Sequence, residues 1–267
     1  KTAKAVLDPK TKPFSISLHC KLPTIPNENQ VIVQKFGSLA NNFTLLLSES
    51  SSTTSAKLAF GITSGSQFSF VTGSITKGAF TNIAVTYDPE GDGKTKMCID
   101  ETFTSSSMIT FFDNLNYNAA NLTIGSGSQV RINNVIFNAD ETFSGSIDEL
   151  RYEHKPLTIQ DIRDTRYETI YASDDLKLYF KFNEPRGSYR AQSLVLDSSK
   201  SGMHSKITNY LDTHTRVTGS DSPIRNELIN RSPVLFPDFP DVSTLNTVLY
   251  TSASMYDGVN PNLITKL

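Results

Sequence analysis

Phe14-Ser-Ile-Ser-Leu18 alternates apolar and polar side chains, and this period of two decides the fold class. In an extended strand successive side chains point to opposite faces, so Phe14, Ile16 and Leu18 line one face while Ser15 and Ser17 line the other. Working outward, Gln30-Val-Ile-Val-Gln-Lys-Phe36 reads as a more fully buried strand. Short β-rich runs follow at 43–47, 57–62, 67–71, 80–87, 96–99, 122–124 and 146–152, separated by Gly, Ser, Asn and Pro clusters. No convincing helix lies between them. Short strands joined by turns predict antiparallel sheets packed face to face, an all-β domain, rather than a crossover fold.

Composition agrees with that reading. The 267 residues suffice for one large domain, or one domain with an appendage, and the 32 Ser and 28 Thr suit turns and half-buried strands better than helices. With 25 basic and 27 acidic side chains the net charge is −2, which leaves no electrostatic footprint for nucleic acid or anionic lipid. No apolar run is long enough for a membrane helix, so no membrane insertion is expected. Cys20 and Cys98 are too few for a disulfide framework; they either form one bridge or stay reduced as small buried hydrophobes. Lys1 is not an initiator methionine, and the segment is expected to come from a longer or processed polypeptide.

Past Tyr152 the pattern changes. Pro156-Leu-Thr158 opens a short helical stretch with capping-box spacing between Thr158 and Asp161, ending near Tyr167. Leu176, Leu178, Phe180 and Phe182 then share one face of a strong strand at 175–183. Beyond Tyr210, Pro223, Pro233, Pro237, Pro240 and Pro261 interrupt residues 211–267, a segment that still contains Leu235, Phe236 and Phe239. This composition predicts an extended, Pro-rich C-terminal arm docked on its own sandwich, a neighbouring subunit or the next domain. The expected division is therefore 1–210 and 211–267.

Four groups of residues invite a chemical reading. Glycoside cleavage needs two carboxylates about 5–9.5 Å apart; alternation puts Glu149, Arg151 and Glu153 on one face and Asp148 on the other, so an Arg separates the glutamates and structural pairing is expected. Asp88-Pro-Glu-Gly-Asp92-Gly93 offers alternating oxygen donors, but Ile99 stands where a calcium loop needs a bidentate Glu, leaving a hairpin turn or an irregular Ca2+ site on Asp88, Asp92 and loop carbonyls. His19, His154, His204 and His214 are dispersed, and no serine lies in a nucleophile elbow. Trp is absent, so Tyr87 and Tyr117 are the candidate aromatic platforms for sugar, with core packing as the plainer role.

The order of segments resembles the laminin-G-like, or concanavalin A-like, jelly-roll family over about residues 14–167. The resemblance rests on Phe14 to Lys21, on Phe80-Thr-Asn-Ile-Ala-Val-Thr-Tyr-Asp88 and Lys96-Met-Cys-Ile-Asp100, on Asn121 to Gly125, and most specifically on Phe143-Ser-Gly-Ser-Ile-Asp-Glu-Leu-Arg-Tyr-Glu-His-Lys-Pro-Leu157. His19 and Phe80 stand where that family often has Trp, and Glu101 where a turn Gly is usual. Leu178-Tyr-Phe-Lys-Phe-Asn-Glu-Pro-Arg-Gly187 resembles the segment that normally begins such a domain, which implies a circularly permuted sandwich closed by strand 175–183, or a second copy cut short. The tail, Ser232 to Pro237 and Tyr256 to Thr265, resembles segments of tailed-bacteriophage virion proteins such as tail or baseplate components.

The resemblance implies an antiparallel jelly-roll β-sandwich with one short helix and the arm. It also implies a non-enzymatic structural or interaction module of a virus particle, contacting other virion structural proteins in an oligomeric assembly. The alternative is a carbohydrate-binding module for cell-surface glycans, using the loops at 88–94 and 114–121 or a concave sheet face; a glycosidase or lyase is the third. No cofactor is expected beyond the candidate Ca2+, and the location is the extracellular virion.

Overall fold

A computed structural model describes residues 2–132, 135–184, 193–208 and 223. The Pro-rich segment 211–267 therefore lies, apart from Pro223, outside the described residues. The strands, in chain order, are β1 (Thr2–Ala3), β2 (Phe14–Lys21), β3 (Gln30–Ser38), β4 (Asn41–Leu47), β5 (Ser55–Ser64), β6 (Gln67–Thr76), β7 (Phe80–Tyr87) and β8 (Thr95–Ile99). They continue as β9 (Thr102–Ser105), β10 (Asn121–Ile124), β11 (Val130–Ile132), β12 (Val135–Phe137) and β13 (Ser146–Glu153), then helix α1 (Ile159–Thr165), β14 (Leu176–Phe180), β15 (Leu194–Val195) and β16 (Ser205–Lys206).

Two six-stranded antiparallel sheets form a sandwich: the first in the order β1-β10-β3-β4-β5-β6, the second β14-β13-β2-β7-β8-β9. The described residues thus form an all-β jelly-roll sandwich with one short α-helix. Alternation works as the sequence predicts. Phe14, Ile16 and Leu18 enter the core, where the Phe14 ring lies 5.2 Å from Phe43 and 6.3 Å from Phe60 of the opposite sheet. Ser15 points the other way, its hydroxyl donating to the Lys155 carbonyl at 2.7 Å. β14 pairs antiparallel with β13 and ends the second sheet.

Each sheet has its outer face partly covered. Over the second sheet, Ala84 and Cys98, cross-strand partners on β7 and β8, pack with Leu157, just before α1, and with Ile162 of α1. The helix starts where the sequence indicates, with Thr158 and Asp161 closing a reciprocal capping box. Over the first sheet runs the β11–β12 pair, absent from the sequence reading because each strand has only three residues. Gly61 makes room for it: a Cβ there would stand 2.7 Å from Ile132 Cδ1. Gln34 secures the approach, donating to the Ser128 carbonyl at 3.0 Å and accepting its N–H at 2.7 Å.

Cys20 and Cys98 are both free and buried. Cys20 belongs to the inter-sheet core and Cys98 to the cluster under α1, so the two thiols point to opposite faces of one sheet. A bridge would have to pass through the sheet.

Candidate functional site

At one end of the sandwich, β7 runs into the turn at 88–94, and the loop at 106–120 folds beside it. Sequence reasoning named the turn at 88–94 and the segment 114–121; the residues that meet the turn are Thr110 and Phe111, which precede that segment. The Thr110 N–H donates to the Gly93 carbonyl at 2.9 Å, and the Phe111 ring fills the space at Gly93, whose Cβ, if present, would stand 2.7 Å from it. Gly93 also sits at φ 63, where a side chain is disfavoured.

The loop is held from beneath. Phe112, Leu115 and Tyr117 are buried, whereas Phe111, Asp113, Asn114, Asn116 and Asn118 alternate with them in solvent. Near its end the loop meets a buried ion pair: Lys35 Nζ lies 3.1 Å from Asp8 Oδ1 and donates to the Ala120 carbonyl at 2.6 Å, while Asp8 Oδ2 accepts the Ala119 N–H at 3.2 Å. The outcome is a rigid rim presenting one ring, three amides and a carboxylate.

Tyr87 and Tyr117, the candidate platforms, do not face solvent. They are 1% and 0% exposed, with both rings in the inter-sheet core, so neither can lie against a sugar. Their role is support. Tyr87 Oη donates to the Thr110 carbonyl at 2.9 Å and accepts the Phe112 N–H at 3.1 Å, and the Tyr117 ring meets Phe43 edge-on at 5.4 Å. Alternation at the C-terminal end of β7 points Tyr87 inward with Ile83 and Val85. Phe111 was missed because Phe111-Phe112 has no period to say which ring is outside.

Asp88 and Asp92 are both engaged in the turn itself. Asp88 Oδ1 accepts the Glu90 N–H at 3.0 Å; Asp92 Oδ1 accepts the Lys94 N–H at 3.1 Å and Oδ2 pairs with Lys96 at 2.8 Å. These are the local bonds that make Asp a turn residue. Among the described residues no group of three or more His, Cys, Asp or Glu side chains could hold a metal ion.

Glu149 and Glu153 lie on the outer face of β13, as alternation predicts, but a bulge intervenes between Asp148 and Arg151, with Glu149 at φ 51. Glu149 is 2% exposed; its Oε2 accepts from Arg151 Nη2 at 2.9 Å and from the Tyr179 hydroxyl. Burial pushes its carboxyl above the ordinary value against the pull of Arg151. Glu153 is 6% exposed and pairs with Lys155 at 3.6 Å. Beside Glu149 a cavity of about 10 Å³, lined by Ser17, His19, Asn82, Arg151 and Arg166, has the volume of one water and no room for a sugar ring. Burial and the two arginines hold the His19 imidazole down at about 3.

A family model described as the concanavalin A-like lectin/glucanases superfamily (Laminin_G_3) matches residues 1–163. Among solved structures, a protein from Bacteroides ovatus ATCC 8483, provisionally described as carbohydrate-binding, is similar at TM-score 0.52 and 17% identity over 73% of this chain and 51% of that one. The chain thus spans about half the length of that protein. The heptameric SAP-like pentraxin of Limulus polyphemus is similar at TM-score 0.41 and 15% identity, covering 58% and 69% of the two chains. Domains LG4-5 of the mouse laminin alpha1 chain are similar at 0.42 and 16%, covering 56% and 38%. At these identities the likeness is one of fold. No curated protein sequence matches the chain.

Proposed function

The chain belongs to the concanavalin A-like lectin/glucanases superfamily, and on that premise we propose that it is a non-catalytic recognition module that binds carbohydrate at the rim formed by residues 88–94 and 106–118. The observation that carries this reading is the pinned loop: Phe111 and the amides of Asn114 and Asn116 are displayed to solvent on a backbone held by Tyr87, Tyr117 and the Asp8–Lys35 pair. Planar amides and a carboxylate match sugar hydroxyls, an exposed ring matches the apolar face of a pyranose, and a preorganised loop spares the cost of ordering on binding. A carbohydrate-binding description also attaches to the Bacteroides ovatus protein of similar fold. Absence of hydrolysis is part of the proposal: the β13 glutamates are buried and held in ion pairs with Arg151 and Lys155.

The test is a glycan array probed with the purified chain, with calcium and again with chelator. Binding that survives chelator and is lost in Phe111→Ala and Asn114→Ala supports the reading. A blank array for a folded sample overturns it.

A second reading, a structural module of a tailed-bacteriophage particle acting through protein contacts, is favoured by Val135 and Ile136, which are 67% and 51% exposed on the β11–β12 pair. It predicts that Val135→Lys with Ile136→Lys, or removal of residues 211–267, blocks incorporation into particles; normal assembly of both variants overturns it.

A further inference from the structure

The free edge of the first sheet is β6, ten residues paired with β5 from Ser55↔Thr76 to Ser64↔Gln67 without a register shift. A two-residue turn, Gly65-Ser66, closes this hairpin, so Ser64 and Gln67 are a hydrogen-bonded pair and every second residue along β6 bonds to β5. The Lys77 N–H continues that series, reaching the Thr54 carbonyl at 2.8 Å. The intervening residues, Phe68, Phe70, Thr72, Ser74 and Thr76, therefore turn their backbone groups outward. Thr110 Oγ1 donates to the Phe68 carbonyl at 3.1 Å, but the backbone groups of the other four have no outward partner among the described residues.

A long, regular edge strand is a template for another chain, and proteins usually blunt it with a charge, a proline or a bulge. Gln67–Thr76 has none of the three. The nearest charge in sequence is turned away: Lys77 is 5% exposed, with Nζ donating to the Ile25 carbonyl at 2.6 Å, Asn27 Oδ1 at 2.7 Å and the Ser52 carbonyl at 2.7 Å.

We infer that β6 pairs antiparallel with β6 of a second copy of this chain, about a twofold axis at Gly73, to make one continuous sheet across two sandwiches. The sequence is self-complementary in that register. Phe70 stands opposite the partner's Thr76 and Thr72 opposite the partner's Ser74, an aromatic with a β-branched residue and a hydroxyl with a hydroxyl, both favourable cross-strand pairs. All four are outward-bonding positions, which gives about eight backbone hydrogen bonds. At the axis glycine meets glycine, so no side chains collide. An uncharged strand opposite itself also sets no like charges together.

The test is the mass of the full chain by light scattering over a concentration series, for the native sequence and for Thr72→Lys with Ser74→Lys. That variant puts lysine opposite lysine at two places on the exposed side of the strand. The expected result is twice the chain mass for the native protein and a twofold drop for the variant, with an unchanged far-UV circular dichroism spectrum to show that the variant is folded. A native chain of single mass throughout, or a double mass that persists in the variant, overturns the inference. Independently of any substitution, exchange of the Phe70, Thr72, Ser74 and Thr76 amides is expected to be slow at high concentration and fast on dilution; fast exchange at every concentration also overturns it.

Discussion

The backbone N–H of Phe112 donates to the hydroxyl of Tyr87 at 3.1 Å, and both groups are buried. This bond ties the rim loop to the end of β7, and the same hydroxyl donates onward to Thr110. Tyr87→Phe keeps the ring and leaves a buried donor and a buried acceptor unmet, an effect of about 1–3 kcal/mol. Denaturant unfolding is expected to show that loss, and the Phe112 amide to exchange faster. Unchanged exchange would mean that the loop is held by its buried side chains alone.

Glu101 presents a conflict between local and tertiary demands. Asp100 and Glu101 form the turn between β8 and β9 at φ 43 and φ 74, a conformation that favours glycine. The Glu101 carboxylate holds two helix-side arginines, Arg163 at 2.8 Å and Arg166. Glu101→Ala loses the pairs and keeps the strain, whereas Glu101→Gly loses the pairs and relieves it. The glycine variant should be more stable than the alanine variant by about 1 kcal/mol, measured by thermal or denaturant unfolding.

Acid should destabilise the protein through its histidines. The His19 imidazole is held at about 3 and that of His154 at about 4 in the folded chain, against 6.5 when exposed, chiefly by burial. The unfolded chain therefore takes up these protons first: the stability is complete above pH 6.5 and is lost progressively as pH falls through 4 toward 3. Glu149 and Glu153, whose carboxyls burial raises, act in the opposite sense at the acid end. A pH series of unfolding midpoints should fall between pH 6.5 and 4, and His19→Asn should flatten that slope; an equal slope would remove His19 as its source.

The two cysteines should titrate only after unfolding. Burial pushes the Cys20 thiol up to about 12 and raises that of Cys98, and each is enclosed on its own face of the sheet. A thiol reagent is expected to find no reactive cysteine in the native chain and two in denaturant, without added reductant. A single bridged pair would leave none in either condition.

The sandwich was legible in the order of the residues. Alternation at Phe14, Ile16 and Leu18, and again at Leu178 and Phe180, is a local property, because a side chain's face follows from its place in the strand. The capping box at Thr158 and Asp161 was legible for the same reason: both partners lie within one turn. The rim was half legible. Its loops show in the turn residues, but which side chains they display depends on contacts far along the chain, such as Asp8 with Ala119 or Tyr87 with Phe112. Glu149 makes the same point, since a bulge, an arginine and a tyrosine from β14 turn a candidate acid into a buried partner. These roles follow from the packed fold, because burial and pairing belong to the arrangement of both sheets and not to any one segment.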